Sequence, residues 1–305
     1  MRLAHCSDLH LLSLDGSRWL DFANKRWIGG MNLLSNRGRH YHTIAFEDMV
    51  EDLNAIGVDH VLCTGDVTNL ALEQEFRFAR ERFDRLTLGP RGVTVLPGNH
   101  DAYVAAGATH FSAIFADYFA CDDGWAWDDG DRDPWPVVRV RGPLAIIGLS
   151  TSLQTPWFTA WGRIGARQLE RLGRALSDPR LAGKARVVAI HHPPAGPRAT
   201  SRIRGLRDRV ELAQVIAQHG ATVVVHGHEH RDLRETLPIP GGTVDVLGVP
   251  SGTYHAGDAS RIARYRIFDI DDRGHITSHH LRVWHRDRRA FDVDASENRV
   301  SAASA

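Results

Sequence analysis

Five short islands carry side chains that can bind metal and move protons: Asp8-Leu9-His10, Gly65-Asp66, Gly98-Asn99-His100-Asp101, His191-His192-Pro193 and Gly227-His228-Glu229-His230. They offer carboxylates, an amide oxygen and imidazoles but no thiolate, a donor set that suits manganese, iron or zinc. Asp8 and His10 are one residue apart, so in an extended segment both side chains project to the same side and together hold one ion. Asp66 follows an apolar run and a glycine, which lets its carboxylate reach a sheet edge and bridge two ions. Asn99 adds a neutral oxygen; His191, His228 and His230 add imidazoles, the last two again alternating. Two ions about 3.5–4 Å apart lower the pKa of a shared water, clamp phosphoryl oxygens and neutralise charge growing in the transition state. The leaving oxygen still needs a proton. His100, next to Asn99, is placed to give it, and Asp101 is placed to orient His100. Asp, Asn and Gly also serve as ordinary turn and capping residues, but seven matching positions in order outweigh that reading.

Apolar runs position the islands. Arg2 to Ser7, Val58 to Thr64, Gly92 to Leu96, Arg186 to Ile190 and Thr222 to Val225 read as strands, each ending just before an island. Helical periodicity over residues 42–56, 70–88, 108–119, 165–177 and 207–219 fills the intervals. Val137 to Val140 and Leu144 to Leu149 read as a hairpin around Arg141-Gly142-Pro143. Val244 to Val249, Ala263 to Ile270 and Ile276 to Trp284 are further, mostly antiparallel strands, the last two joined by the turn Asp271-Asp272-Arg273-Gly274. These late strands either complete a second sheet or form a dimer edge, so a homodimer stays open. The alternation gives an α/β chain of mixed sheets covered by helices, with its site beyond the strand ends. It predicts one domain over residues 1–285, with an insertion at about 11–41, and a disordered tail over 286–305.

The 305 residues carry 37 basic and 37 acidic side chains. That balance, without an extended basic stripe, argues against a nuclease, and no nucleic-acid partner is expected. Cys6, Cys63 and Cys121 make no disulfide framework, which suits a reducing, cytoplasmic compartment. The N-terminus lacks the apolar core and cleavage site of a signal peptide, and no apolar run is long enough to span a bilayer. Among the many histidines, His5 and His226 lie inside strands and read as hydrogen-bonded core groups.

The islands resemble the pattern D-x-H, G-D, G-N-H-[DE], H and G-H-x-H of the calcineurin-like metallophosphoesterase superfamily, spread here over residues 8 to 230. The resemblance implies a four-layer αββα sandwich with two mixed β-sheets flanked by helices. It implies two divalent or mixed-valence ions, the first on Asp8, His10, Asp66 and His230, the second on Asp66, Asn99, His191 and His228. His100 would be the catalytic histidine. His191 rather than His192 is taken as the ligand because it ends its strand, whereas His192-Pro193-Pro194 turns away. Gly65-Asp66-Val67-Thr68-Asn69, His191-His192-Pro193-Pro194 and Arg204-Gly205-Leu206-Arg207-Asp208 look like the bacterial cyclic-nucleotide phosphodiesterase branch, which implies a small phosphodiester substrate. The insertion at 11–41 departs from the short members of that branch.

Asn69, Arg202, Arg204 and His255 are the candidate substrate contacts. Arg202, Arg204 and Arg207 form a local basic cluster suited to a phosphate, or are simply solvated. His255 follows a strand end. The insertion mixes Trp19, Leu20, Phe22 and Trp27 with Arg18, Lys25 and Arg26. It reads as a lid with its apolar side on the domain, or as a surface for an acyl chain or membrane interface. The second reading would suit a lipid-linked nucleotide-sugar pyrophosphatase of the UDP-diacylglucosamine hydrolase type, peripheral at the membrane. A non-catalytic binding scaffold on the same fold is the alternative of a different class, but a scaffold has no need of the full donor set plus His100.

Overall fold

The computed structural model describes residues 1–13, 41–102, 104–130 and 133–295. The expected insertion at 11–41 therefore lies mostly outside the described residues, as does the end of the expected tail.

Two mixed six-stranded sheets carry the fold. In the first, β1 (Arg2–Cys6), β2 (His60–Cys63) and β3 (Val93–Val95) run parallel, and β10 (Arg264–Ile270), β11 (Ile276–His285) and β12 (Ala290–Val293) extend it antiparallel from the β1 side. In the second, β5 (Leu144–Gly148), β6 (Ala185–Ala189), β7 (Val223–His226) and β9 (Gly242–Gly248) run parallel. β4 (Val137–Arg141) and β8 (Leu233–Ile239) are its antiparallel edges. The crossovers include α1 (Thr43–Ile56), α2 (Glu73–Phe83), α3 (Ala105–Ile114), α4 (Ala166–Leu176) and α5 (Arg209–His219). No helix among the described residues is long and apolar enough to cross a membrane.

The period-two alternation of strands explains the layering. Leu3, Val61 and Ile267 of the first sheet share one buried core with Ile146, Val187 and Val225 of the second. The alternate residues Ile147, Val188 and Val224 face the other way and meet Leu169 and Leu172 of α4 and Leu212 and Ile216 of α5. Phe46 and Met49 of α1 and Phe76 and Phe83 of α2 join the first core. Each such side chain contributes about 1.5–3 kcal/mol on burial. The result is the expected αββα sandwich.

Two elements were not expected. β8 contains Pro238 and alternates exposed Arg234, Thr236 and Pro238 with half-buried or buried residues that include Glu235, a weak apolar signal. Its place at the sheet edge is where a proline costs no ladder bond. β12 corrects the tail that was expected to begin at 286. Phe291 is buried against Tyr265, Arg264 Nε donates to Asp294 Oδ2 at 2.7 Å, and Arg289 pairs with Asp48 of α1. Four residues are too few to show periodicity. The late strands after β9 lengthen the first sheet rather than the second.

Candidate metal centre

Parallel register brings the islands together. Cys6, Cys63 and Val95 stand side by side in the first sheet, so the chain leaves β1, β2 and β3 at one edge, with Asp8, Asp66 and Asn99 in the loops beyond. Ala189 pairs with Val225 in the second sheet, which brings the His191 and His228 loops to the matching edge.

The local geometry differs from the extended turns expected at Asp8–His10 and His228–His230. Asp8, His10, Asp66, His228 and His230 all have positive φ, between 45° and 69°. Such conformations cost about 1–3 kcal/mol each in a non-glycine residue and persist only where surroundings impose them. Here the surroundings are a lattice of hydrogen bonds. Asp8 N donates to Gly65 O and His10 N to Asp66 O, both at 2.9 Å. His228 N donates to Asp8 Oδ2 at 2.9 Å. Ser251 and Thr253, which the sequence did not single out, donate their hydroxyls to the carbonyls of Asp8 and Leu9 at 2.6 Å.

The side chains converge in two groups that share Asp66. Asp8, His10, Asp66 and His230 have ligand atoms within 4.8 Å of one another, and so do Asp66, His191 and His228. His230 Nε2 is 3.1 Å from Asp8 Oδ1. His191 Nε2 is 3.5 Å from Asp66 Oδ1 and 3.1 Å from Asn99 Oδ1, so Asn99 joins the second group. Imidazole nitrogens face each other at 3.1 Å between His10 and His230 and at 3.2 Å between His191 and His228. Two facing lone pairs repel unless a proton or a cation lies between them. With carboxylates converging on the same points, the donor set fits two hard or borderline divalent ions.

Electrostatics point the same way. Burial opposes charge on His191, but the Asp66 and Asp8 carboxylates prevail and push it up to about 9. Burial also disfavours the Asp8 carboxylate, yet His230 beside it pulls it down to about 2. Burial, with neighbouring imidazoles, holds His10 and His228 well below the usual histidine range. The neutral form favoured at His10 and His228 is the one that would hold an ion, and His191 would have to release a proton to do so.

His192 packs on the His228 ring, centroids 4.4 Å apart, but does not join the converging ligand atoms. Its Nδ1 bonds Thr151 Oγ1 at 2.7 Å and its Nε2 donates to Ala160 O at 3.0 Å, so both ring nitrogens are committed. His100 is pinned twice: its main-chain N donates to Asp66 Oδ1 at 2.7 Å, and its ring Nδ1 to the Asn69 carbonyl at 2.7 Å.

This corrects the role expected of Asp101. Its carboxylate accepts from the main-chain N of Val67, Thr68 and Gly98 and from Thr68 Oγ1, at 2.8–3.1 Å. It ties the Asp66 loop to the Asn99 loop, and Asn69 O orients His100 instead. Burial and the nearby Asp66 raise its pKa to about 6.

Of the candidate substrate contacts, Asn69 is buried and acts through its carbonyl. Arg204 is exposed and donates to the His228 carbonyl at 3.2 Å. Arg202 is exposed, with its carbonyl bonded to Arg207. His255 is half-buried edge-on against His42, ring centroids 4.0 Å apart. Tyr41 was missed: its hydroxyl lies 3.1 Å from His230 Nδ1, the outer hydrogen bond that fixes a metal-binding imidazole. Tyr41→Phe is expected to weaken metal affinity about 10–100-fold, read by chelator competition.

The approach of the two loops leaves no room for a side chain at Gly98. A Cβ there would lie 2.2 Å from both Asp66 N and Asp66 Oδ1. Gly98→Ala is therefore expected to displace Asp66 and abolish tight binding of both ions, measurable as metal content after desalting.

A family model for calcineurin-like phosphoesterases matches residues 1–232. The chain belongs to that family. Membership of this family supports a metal-dependent phosphoester hydrolase, and the two ligand groups that share Asp66 are donor sets for two divalent ions. No curated protein matches the chain in sequence. Among solved structures it is similar to a dimetal phosphatase from Danio rerio, at 13% identity and a TM-score of 0.58, over 92% of this chain and 95% of that one. It is also similar to purple acid phosphatase PPD1 from yellow lupin seeds, at 13% identity and a TM-score of 0.55, over 92% of this chain and 53% of that one. The calcineurin-like phosphoesterase spans about half the length of the lupin enzyme. At these identities the likeness shows the fold alone.

Proposed function

We propose that this metallophosphoesterase is a cytoplasmic phosphodiesterase acting on a small phosphodiester. The observation that carries the reading is the pair of ligand groups sharing Asp66, with His100 fixed to that same carboxylate. Bound manganese, iron or zinc ions would supply Lewis acidity and a nucleophile at neutral pH. The chain supplies the rest. Asp8, His10 and His230 hold one side, and Asn99, His191 and His228 the other. Asp66 sets their spacing. The His100 ring keeps one orientation because Nδ1 is committed to Asn69, so proton transfer runs through Nε2. It protonates the departing oxygen as the phosphorus–oxygen bond breaks, in line with attack from the opposite side. A cavity of about 460 Å3 lies beside Asp101, lined by Pro97, Phe111, Trp135, Ser152 and Arg163 among others but by neither His100 nor a metal ligand.

The diester preference draws on the motif likeness to the cyclic-nucleotide branch, and the compartment on three free thiols. A second reading, a lipid-linked nucleotide-sugar pyrophosphatase, is favoured by large apolar side chains, Trp157 and Phe158, exposed on the surface.

The test is metal-loaded protein on bis-p-nitrophenyl phosphate, cyclic AMP, p-nitrophenyl phosphate and an acylated UDP-sugar. Turnover of a diester at least about tenfold above the monoester supports the reading. Preference for the monoester overturns it, and preference for the acylated sugar replaces it with the second reading.

A further inference from the structure

Two loops beside the centre carry the most exposed large apolar side chains among the described residues. Trp157 is 54%, Phe158 78% and Ile203 55% exposed. Both loops are tied to the neighbourhood of His228: Ala160 O accepts from Nε2 of His192, whose ring packs on that of His228, and Arg204 donates to the His228 main-chain carbonyl. They are also tied to each other, by Ala160 N to Ile203 O at 2.8 Å and Gly162 N to Gly205 O at 3.1 Å. The Trp157–Phe158 tip and the Ile203 turn therefore share one rim at the metal-centre end of the second sheet.

The tip is built with strain. Pro156 to Thr159 forms a turn closed by Thr159 N to Pro156 O at 3.2 Å, and Phe158 at its third position has a φ of 64°. That position normally takes glycine or asparagine. A large aromatic side chain is instead held there, turned into solvent.

The rim is strongly basic. Residues 198–209 contain five arginines and a single acid, Asp208. Asp208 is buried and spent on the main-chain N of Ile164 and Gly165. Residues 156–163 add Arg163 and no acid. Arg198 is neutralised by Glu229, whereas among the described residues Arg207 donates to the Arg202 carbonyl and lies over the Trp161 ring. The balanced net charge conceals this local excess.

Exposed Trp and Phe flanked by arginines is the composition that enters a lipid interface, with rings at headgroup depth and cations on anionic headgroups. Single-stranded nucleic acid also takes arginines and aromatic faces. Aliphatic Ile203 offers no stacking face, and its exposure favours lipid. We propose that the Trp157–Phe158–Ile203 rim docks this protein on an anionic bilayer surface, with the metal centre beside the contact.

The test is co-sedimentation of the metal-loaded protein with phosphatidylglycerol–phosphatidylcholine vesicles, against pure phosphatidylcholine vesicles and a fluorescent single-stranded oligonucleotide. The variant is the triple Trp157→Ser, Phe158→Asn, Ile203→Ser. Asparagine accepts the left-handed backbone at 158, so the turn is not broken. Salt-sensitive binding to the anionic vesicles, weakened at least about tenfold in the variant with thermal midpoint and bis-p-nitrophenyl phosphate turnover unchanged, is the expected result. Absence of binding to anionic vesicles, equal binding by the variant, or binding of the oligonucleotide alone would each overturn the proposal. Turnover of the soluble diester reports the phosphodiesterase reading separately.

Discussion

Asp66→Asn is expected to lower phosphoester turnover at least about a thousandfold and to cut bound metal from two ions per chain to one or none. The substitution keeps size and shape and removes only charge and one strong acceptor. Asp66 is 2% exposed and is the only residue common to both ligand groups. Every other ligand serves one side, so replacing it leaves the opposite group intact. The same carboxylate holds the His100 main chain and lies 3.5 Å from His191 Nε2, so the loss reaches the proton donor as well. Metal analysis alongside kinetics separates the two: turnover lost with both ions retained would mean that Asp66 acts on His100 rather than bridging.

His100→Gln is expected to reduce turnover about 10²–10⁴-fold, the usual contribution of a positioned acid, while leaving metal content unchanged. No ligand is removed, and the main-chain bond to Asp66 survives because it comes from the peptide N. The loss should be largest for leaving groups of high pKa, such as a ribose oxygen. It should shrink for p-nitrophenolate, which departs without a proton. Equal loss on both kinds of ester would assign His100 to positioning the phosphoryl group rather than to protonating the leaving oxygen.

Much of this site was legible in the chain because metal ligation needs particular donors and strand ends place them. The order of Asp8, Asp66, Asn99, His191 and His228 after apolar runs located the sheet edges; the alternating helix and strand patterns gave mixed sheets covered by helices, and the four-layer sandwich came from the family resemblance. What stayed hidden was set by tertiary contact. Asp101 stands next to His100 in sequence, yet its oxygens are taken by the main chain of a loop more than thirty residues away. The carbonyl that orients His100 belongs to Asn69, and a main-chain carbonyl leaves no mark in a sequence. Tyr41 reaches His230 across 189 positions, and nothing about an isolated tyrosine announces that contact. The left-handed backbone at five ligands was hidden for a related reason: Asp and His adopt positive φ more often than most residues, but which of them do so is fixed by tertiary bonds such as those from Ser251 and Thr253 to the Asp8 and Leu9 carbonyls. β8 and β12 were missed because one carries a proline and two adjacent charges and the other is four residues long.

The most direct measurement is a manganese titration of chelator-stripped protein, following bound metal and bis-p-nitrophenyl phosphate turnover in the same samples. Two ions per chain, with turnover appearing only as the second is taken up, is the result expected of a centre bridged by Asp66. Full turnover at one ion per chain, or undiminished turnover in excess chelator, would contradict it.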